Sequence, residues 1–216
     1  MSLFYKIFLF NAVLLLSSSA QALSVGQGSD FETGTLEGWG VGLSVTPSII
    51  ADNGPSAAGS NAIEISASGL NGAGSKLVTL NRQTPWTGAI SSDVTAVTMD
   101  LKHTSGSDLL IRFAIGDGGT WYASNTPHSL LSGGDWEQAF FSLSDLTKVS
   151  GSANLVDVIN NVTEVRLLHS LTANFKGDVI AASFAVDNIS AVPVPAAVWL
   201  FASALGLLGI KRRKTI

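Results

Sequence analysis

Apolar and polar residues alternate with a period of two in several short stretches, and this alternation constrains the fold more than any other feature of the chain. Successive side chains of a β-strand point to opposite faces, so alternation is typical of a strand with one buried face. The pattern predicts strands at 62–66, 97–102, 109–115, 162–167 and 184–189. Only 155–161 has the residues of a short helix.

Stretches rich in Gly, Asp and Asn separate these predicted strands. They read Asp-Asn-Gly-Pro at 52–55, Asn-Gly-Ala-Gly at 71–74, Gly-Asp-Gly-Gly at 116–119 and Ser-Gly-Gly-Asp at 132–135. Residues of these types favour tight turns. Many short strands joined by such turns predict an all-β fold, an antiparallel β-sandwich.

The composition excludes several classes of function. The chain has no cysteine, so it can form neither a disulfide framework nor a thiolate zinc site. The stretch Leu23–Ala191 carries seven basic and sixteen acidic residues, a net charge of −9. An acidic surface argues against nucleic-acid binding, because that binding depends on basic groups that neutralise phosphates. It is compatible with a divalent cation, which takes oxygen ligands.

The N-terminus has the order of a secretory signal. One basic residue, Lys6, precedes the apolar stretch 7–16, and Ala20 and Ala22 form an A-x-A site. This order predicts a signal peptide over 1–22 that directs the chain to the Sec machinery and is cleaved after Ala22. The alternative is an uncut membrane anchor.

The C-terminus combines an uncharged run with a basic end. Residues 196–210 carry no charge, and four basic residues follow: Lys211, Arg212, Arg213 and Lys214. As a helix this run would be about 22 Å long at 1.5 Å per residue, short of the ~30 Å hydrocarbon core of a bilayer. Addition of 192–195 brings it nearer. The pattern predicts a transmembrane helix of marginal length, with the body outside and the basic tail inside. The alternative is a buried C-terminal helix of the domain.

The residues in front of this run carry a resemblance. Val192, Pro193, Val194, Pro195 and Ala196 read VPVPA, and AAVWLF and GLLGI follow. The tail resembles the VPLPA variant of the PEP-CTERM sorting signal of Gram-negative bacteria, with Val194 where Leu is usual. The resemblance implies processing by an exosortase at the inner membrane. It also implies export to the cell surface or to an extracellular polysaccharide matrix.

The body between the two ends also resembles known domains. Its motifs are FETGTLEGW at 31–39, DWEQAFFSLSDL at 135–146 and DNI at 187–189. Their order resembles jelly-roll domains of the carbohydrate-binding-module and galactose-binding-like type, and 161–165 is similar to laminin B domains. The resemblance implies a jelly roll over 23–191, between the signal peptide and the sorting signal at 192–216.

The resemblance further implies one structural Ca²⁺ where the first and last strands meet. The matching positions are Glu32 and Asp187, with Asp30 and backbone carbonyls at 59–61 as further ligands. Ca²⁺ prefers six to eight oxygen ligands, and an ion that joins two chain ends stabilises the fold. The alternative is that Glu32 and Asp187 cap turns.

Sugar sites use aromatic faces and a few polar groups. The candidates in this chain are Trp86, Trp121, Tyr122 and Asn125, with His128 and Arg112 near them in sequence. Trp121 and Tyr122 follow a glycine-rich turn, which favours exposure of at least one ring. The alternative places Trp86 in the core with Trp39 and Trp136.

The three histidines are scattered, and no nucleophile or metalloprotease motif is present. We therefore expect a protein without enzymatic activity, exported to the surface or matrix, that is adhesive or binds polysaccharide in a biofilm. Two alternatives remain open. One is a secreted glycan-active enzyme of jelly-roll type, and the other is a structural matrix protein without a specific ligand.

Overall fold

The computed structural model describes residues 21–43, 45–56 and 59–193. These residues form fourteen strands, one 3₁₀ helix and one short α-helix. The strands are β1 (Gln21–Leu23), β2 (Gly28–Ser29), β3 (Ser48–Ile50), β4 (Ala62–Ser68), β5 (Val78–Asn81), β6 (Ala89–Ile90), β7 (Ala96–Ser105), β8 (Leu109–Gly116), β9 (Trp121–Ser124), β10 (His128–Leu130), β11 (Glu137–Ser142), β12 (Leu146–Ser150), β13 (Glu164–His169) and β14 (Ala181–Val192). The 3₁₀ helix spans Leu143–Asp145, and α1 spans Leu155–Ile159.

Two sheets make up the sandwich. The front sheet has the order β12-β9-β8-β13-β5, and β10 also pairs with β8. The back sheet has the order β11-β7-β14-β4-β3, and β2 also pairs with β14. All of these pairs are antiparallel, whereas β1 and β6 form a separate parallel pair. The predicted all-β antiparallel sandwich is confirmed.

The period-two pattern places one face of each sheet in the core. In β7, Val97, Met99 and Leu101 are fully buried, and in β8 the same is true of Ile111 and Phe113. Side chains of both sheets belong to one hydrophobic cluster. The alternation therefore predicted correctly which residues face inward.

A hydrogen-bonded tryptophan pair lies inside this core. Trp39 and Trp86 pack edge to face with ring centroids 5.4 Å apart, and both are at most 1% exposed. The indole Nε1 of each donates to Ser29 Oγ at 3.1 Å. The prediction of a sugar-contacting Trp86 is therefore wrong, because the ring is a core side chain. Trp136 is only half-buried rather than a core residue.

The predicted export signals lie mostly outside the described residues. This applies to 1–20, which include Ala20, and to 194–216, which include the predicted helix and the basic tail. Ala22 lies in β1, and Val192 ends β14 with Pro193 directly after it. Within the described part of the chain, no helix is long and apolar enough to cross a membrane.

Candidate functional site

The outer face of the front sheet is formed by the residues that alternate with its core residues. On β8 these are Arg112, Ala114 and Gly116, and on β13 they are Glu164, Arg166 and Leu168. The pairing register sets Ala114 beside Ala123 and Gly116 beside Trp121 of β9. The strands therefore bring charged, small and aromatic side chains together on one face.

Trp121 lies flat on this face. A Cβ at Gly116 would come within 2.7–2.8 Å of three atoms of the indole, so the absence of a side chain there makes room for the ring. The Phe175 ring stacks on the indole with centroids 4.7 Å apart and planes 10° apart. The Arg166 guanidinium carbon lies 4.3 Å from the indole centroid. Trp121 is consequently only 7% exposed, because the loop that carries Phe175 covers the ring.

Two arginines hold one carboxylate beside the stacked rings. Arg82 Nε donates to Glu164 Oε2 at 2.7 Å, and Arg166 Nε donates to Glu164 Oε1. Arg166 Nη1 also donates to the Phe175 carbonyl at 2.7 Å, which fixes the loop above the sheet. The Glu164 side chain is 7% exposed and that of Arg82 is 53% exposed. We call Arg82, Trp121, Glu164, Arg166 and Phe175 the front cluster.

The other predicted sugar contacts are less suited to that role. Tyr122 is 7% exposed, its ring belongs to the core, and its hydroxyl donates to the Ala153 carbonyl at 3.1 Å. Neither Trp121 nor Tyr122 is thus exposed, and the prediction that at least one of the two rings is exposed is wrong. Asn125 is exposed, and its backbone carbonyl accepts from Arg112 Nη1 at 2.7 Å. Arg112 is buried among backbone carbonyls and therefore serves the fold.

Four members of the front cluster were missed at the sequence level. Glu164 and Arg166 lie two residues apart on a predicted strand, which places them on one face. That spacing could have indicated a shared polar surface. Nothing in the local sequence indicates that Phe175 reaches Trp121 or that Arg82 reaches Glu164.

The predicted metal ligands do meet in part. Ser60 Oγ donates toward Glu32 Oε1 at 2.9 Å and toward Asp187 Oδ2 at 3.4 Å, so both carboxylates face one hydroxyl. The backbone N–H of Asn61 also donates to Glu32. Asp30 accepts from the Glu32 N–H at 3.2 Å, but it lines a separate polar cavity with Glu37.

Asp187 is a buried acid in an acidic neighbourhood. It is fully buried, and burial, with the nearby charges of Glu32 and Asp100 adding to it, raises its pKa to about 6. Hydrogen bonds from Asn188 and Ser60 act in the opposite direction. Among the ion pairs of the described residues, none involves Glu32 or Asp187. No group of three or more metal-binding side chains is found in the described ranges.

Several solved structures with a similar fold are carbohydrate-binding modules. The family 11 carbohydrate-binding module from Clostridium thermocellum, in complex with a β-1,3-1,4-mixed-linked tetrasaccharide, has a TM-score of 0.53 and 19% identity. The match covers 80% of this chain and 98% of that chain. The tandem CBM22 domain from Paenibacillus barcinonensis has a TM-score of 0.51 and 12% identity over 79% of this chain and 50% of that one.

An exo-β-agarase also matches, with a TM-score of 0.58 and 13% identity over 80% of this chain and 26% of that one. No model of a protein family matches the chain, and no curated protein matches it in sequence. At these identities the likeness is one of fold. It confirms the predicted jelly-roll sandwich.

Proposed function

We propose that the domain binds polysaccharide at the front cluster and that it does so without chemical turnover. The observation that carries the proposal is the stacked pair of Trp121 and Phe175 beside the Arg82–Glu164–Arg166 group, on the outer face of a sandwich sheet. The likeness of the fold to carbohydrate-binding modules supports it.

The chemistry of the cluster suits a sugar chain. Phe175 is half-buried, so part of its ring surface remains open to pack on the apolar face of a sugar. The half-exposed Arg82 guanidinium carries several N–H donors in a fixed plane, and these match hydroxyl acceptors. Glu164 is held from both sides, so it orients the two arginines before a ligand arrives.

The test is affinity electrophoresis of the full chain in mild detergent through gels that contain single soluble polysaccharides, among them a mixed-linked β-glucan. Retardation by at least one polysaccharide is expected. Arg82→Ala and Phe175→Ala should each weaken it about tenfold or more. Leu70→Ala, at a 71% exposed position away from the cluster, is the matched control. Equal retardation of all variants would reject the front cluster as the site.

The same samples separate binding from catalysis. We expect no new reducing ends after long incubation with any retarding polysaccharide. Release of shorter products would replace the binding proposal with the glycan-active enzyme. Absence of retardation in every gel would favour a structural matrix protein without a specific ligand.

We further propose that the chain is exported through Sec, held at the inner membrane by its C-terminal segment and sorted by an exosortase to the cell surface or matrix. The motif Val192–Ala196 and the basic tail Lys211–Lys214 support this proposal. Mass spectrometry of the mature protein from cells should find a new C-terminus near Pro195. Recovery of an intact Ile216 end would reject sorting by cleavage.

A structural Ca²⁺ at Glu32 and Asp187 is a further proposal. The two carboxylates converge on Ser60, and neither is neutralised by an ion pair in the described ranges. Carboxylate oxygens suit a hard cation, and backbone carbonyls at 59–61 would supply further ligands. The ion would neutralise the buried charge of Asp187 and tie the first loop to the last strand.

A further inference from the structure

An apolar groove lies at the end of the sandwich from which the chain leaves the fold. Its cavity volume is about 560 Å³. Its walls include Val94, Phe140, Leu143, Leu155 and Ile159. The remaining lining residues are Ser and Thr, so no charged side chain of the described residues lines it.

The last strand ends at the rim of this groove. Val192 is the final residue of β14, and its carbonyl accepts from the backbone N–H of Thr95 at 3.0 Å. Thr95 lines the groove, and its own carbonyl accepts from the N–H of Leu143. The last residue of β14 is therefore hydrogen-bonded directly to a residue of the groove wall.

The segment that follows matches the groove in chemistry. Residues 194–210 carry no charge and include Trp199, Leu200 and Phe201. Ala202 lies ten residues beyond Val192, a distance of at most about 35 Å for extended chain. A cavity between about 300 and 1,000 Å³ is large enough to take a compact apolar group. A tethered segment also has an effective concentration in the millimolar range, which favours it over free partners.

We propose that the apolar C-terminal segment around Trp199–Phe201 occupies this groove whenever that segment is not in a lipid bilayer. In water the groove removes the large side chains from solvent, and it covers Phe140, which is otherwise 53% exposed. Insertion of the segment into a membrane, or its removal by cleavage, leaves the groove open. This inference is independent of sugar binding.

The test uses the absence of cysteine from the chain. The full chain carries Ser144→Cys at the groove rim and Ala202→Cys in the tail, and it is oxidised in detergent-free buffer. The matched control carries Val25→Cys with Ala202→Cys. Val25 is 45% exposed and precedes Gly26, whose N–H donates to the Ala191 carbonyl, so it also lies near the end of β14 but does not line the groove.

We expect the Ser144 pair to close at least fivefold more often than the Val25 pair, as an intramolecular disulfide on a non-reducing gel. Phe140→Asp, at an exposed wall position, should bring the yield down to the control without a change of fold by circular dichroism. Reconstitution into phospholipid vesicles should do the same. Equal yields from both pairs in buffer, or disulfides formed only between two copies, would overturn the proposal.

Discussion

Glu32 and Asp187 lie at opposite ends of the folded chain, yet both carboxylates face the hydroxyl of Ser60. Asp187 is fully buried, and its carboxylate is surrounded by the negative charges of Glu32 and Asp100. A buried negative charge without a cation destabilises a fold. A cation bound between Glu32 and Asp187 would therefore stabilise the fold.

Asp187→Asn removes that charge and keeps the shape of the side chain. Without Ca²⁺ the variant should melt higher than the parent chain, by about 2–4 °C for each 1 kcal/mol of relieved repulsion. With millimolar Ca²⁺ the parent should gain stability and the variant should not, because the ion loses a ligand. Thermal unfolding in EDTA and in Ca²⁺ measures both effects.

Asp135→Asn is the control, since that carboxylate is 91% exposed. Its melting temperature should respond to Ca²⁺ as the parent does. A parent chain whose melting temperature is the same in EDTA and in Ca²⁺ would reject the ion.

Gly116→Ala tests whether the space above Gly116 holds the Trp121 ring in place. The new Cβ would lie 2.7 Å from indole atoms, and Phe175 and Arg166 hold the ring from elsewhere, so the indole has to move. We expect a loss of about 1–3 kcal/mol in the free energy of unfolding, as for other overpacked sites. Tryptophan emission should shift to longer wavelength as Trp121 becomes wetter. Weaker retardation by polysaccharide should accompany the shift.

Gly119→Ala serves as the matched control in the adjoining turn. Its added Cβ would meet Asp117 Oδ1 at 3.7 Å, an ordinary contact. Stability and emission should both stay at the parent values. Equal losses in the two variants would mean that the turn, and not the ring, is sensitive.

His169 should make stability depend on pH. Burial lowers its pKa below the usual 6.5, Arg112 acts in the same direction, and Asp178 opposes them. Its Nδ1 accepts from the Leu110 N–H at 3.0 Å, which also requires the neutral ring. The unfolded chain therefore binds the proton more tightly, and the free energy of unfolding should fall as pH drops through 6.5.

His169→Asn keeps an acceptor near the same position and cannot titrate in this range. Urea unfolding at pH 7.5 and pH 5.5 should show a smaller loss in the variant than in the parent. Carboxyls with raised pKa, such as Glu37, act in the opposite direction in both chains and cancel in the comparison. An identical loss in the two chains would contradict the assignment to His169.

The sequence predicted the strands well because a sheet with one buried face imposes its period on local residues. The stretch 109–115 corresponds to β8 (Leu109–Gly116), and 97–102 lies within β7 (Ala96–Ser105). The site was predicted less well, because exposure depends on what packs from elsewhere in the chain. Trp121 follows a glycine-rich turn, but Phe175 from a distant loop covers it. The resemblance of motifs predicted that Glu32 and Asp187 lie close to each other and to 59–61, which no local pattern indicates; that both carboxylates face the Ser60 hydroxyl is a finding of the structure.

The hydroxyl of Ser29 accepts hydrogen bonds from both buried indoles, those of Trp39 and Trp86. Ser29→Ala would leave the Nε1 groups of Trp39 and Trp86 without that acceptor inside the core. Each buried unpaired donor costs about 1–3 kcal/mol, so the free energy of unfolding should fall by at least about 2 kcal/mol. Ser92→Ala, at an exposed position, should leave the free energy of unfolding unchanged.

Urea unfolding of a double-mutant cycle with Trp86→Phe identifies the cause, because Ser29→Ala should cost less where one donor is already absent. An equal cost in both backgrounds would mean that the hydrogen bond between Ser29 and Trp86 does not account for the loss.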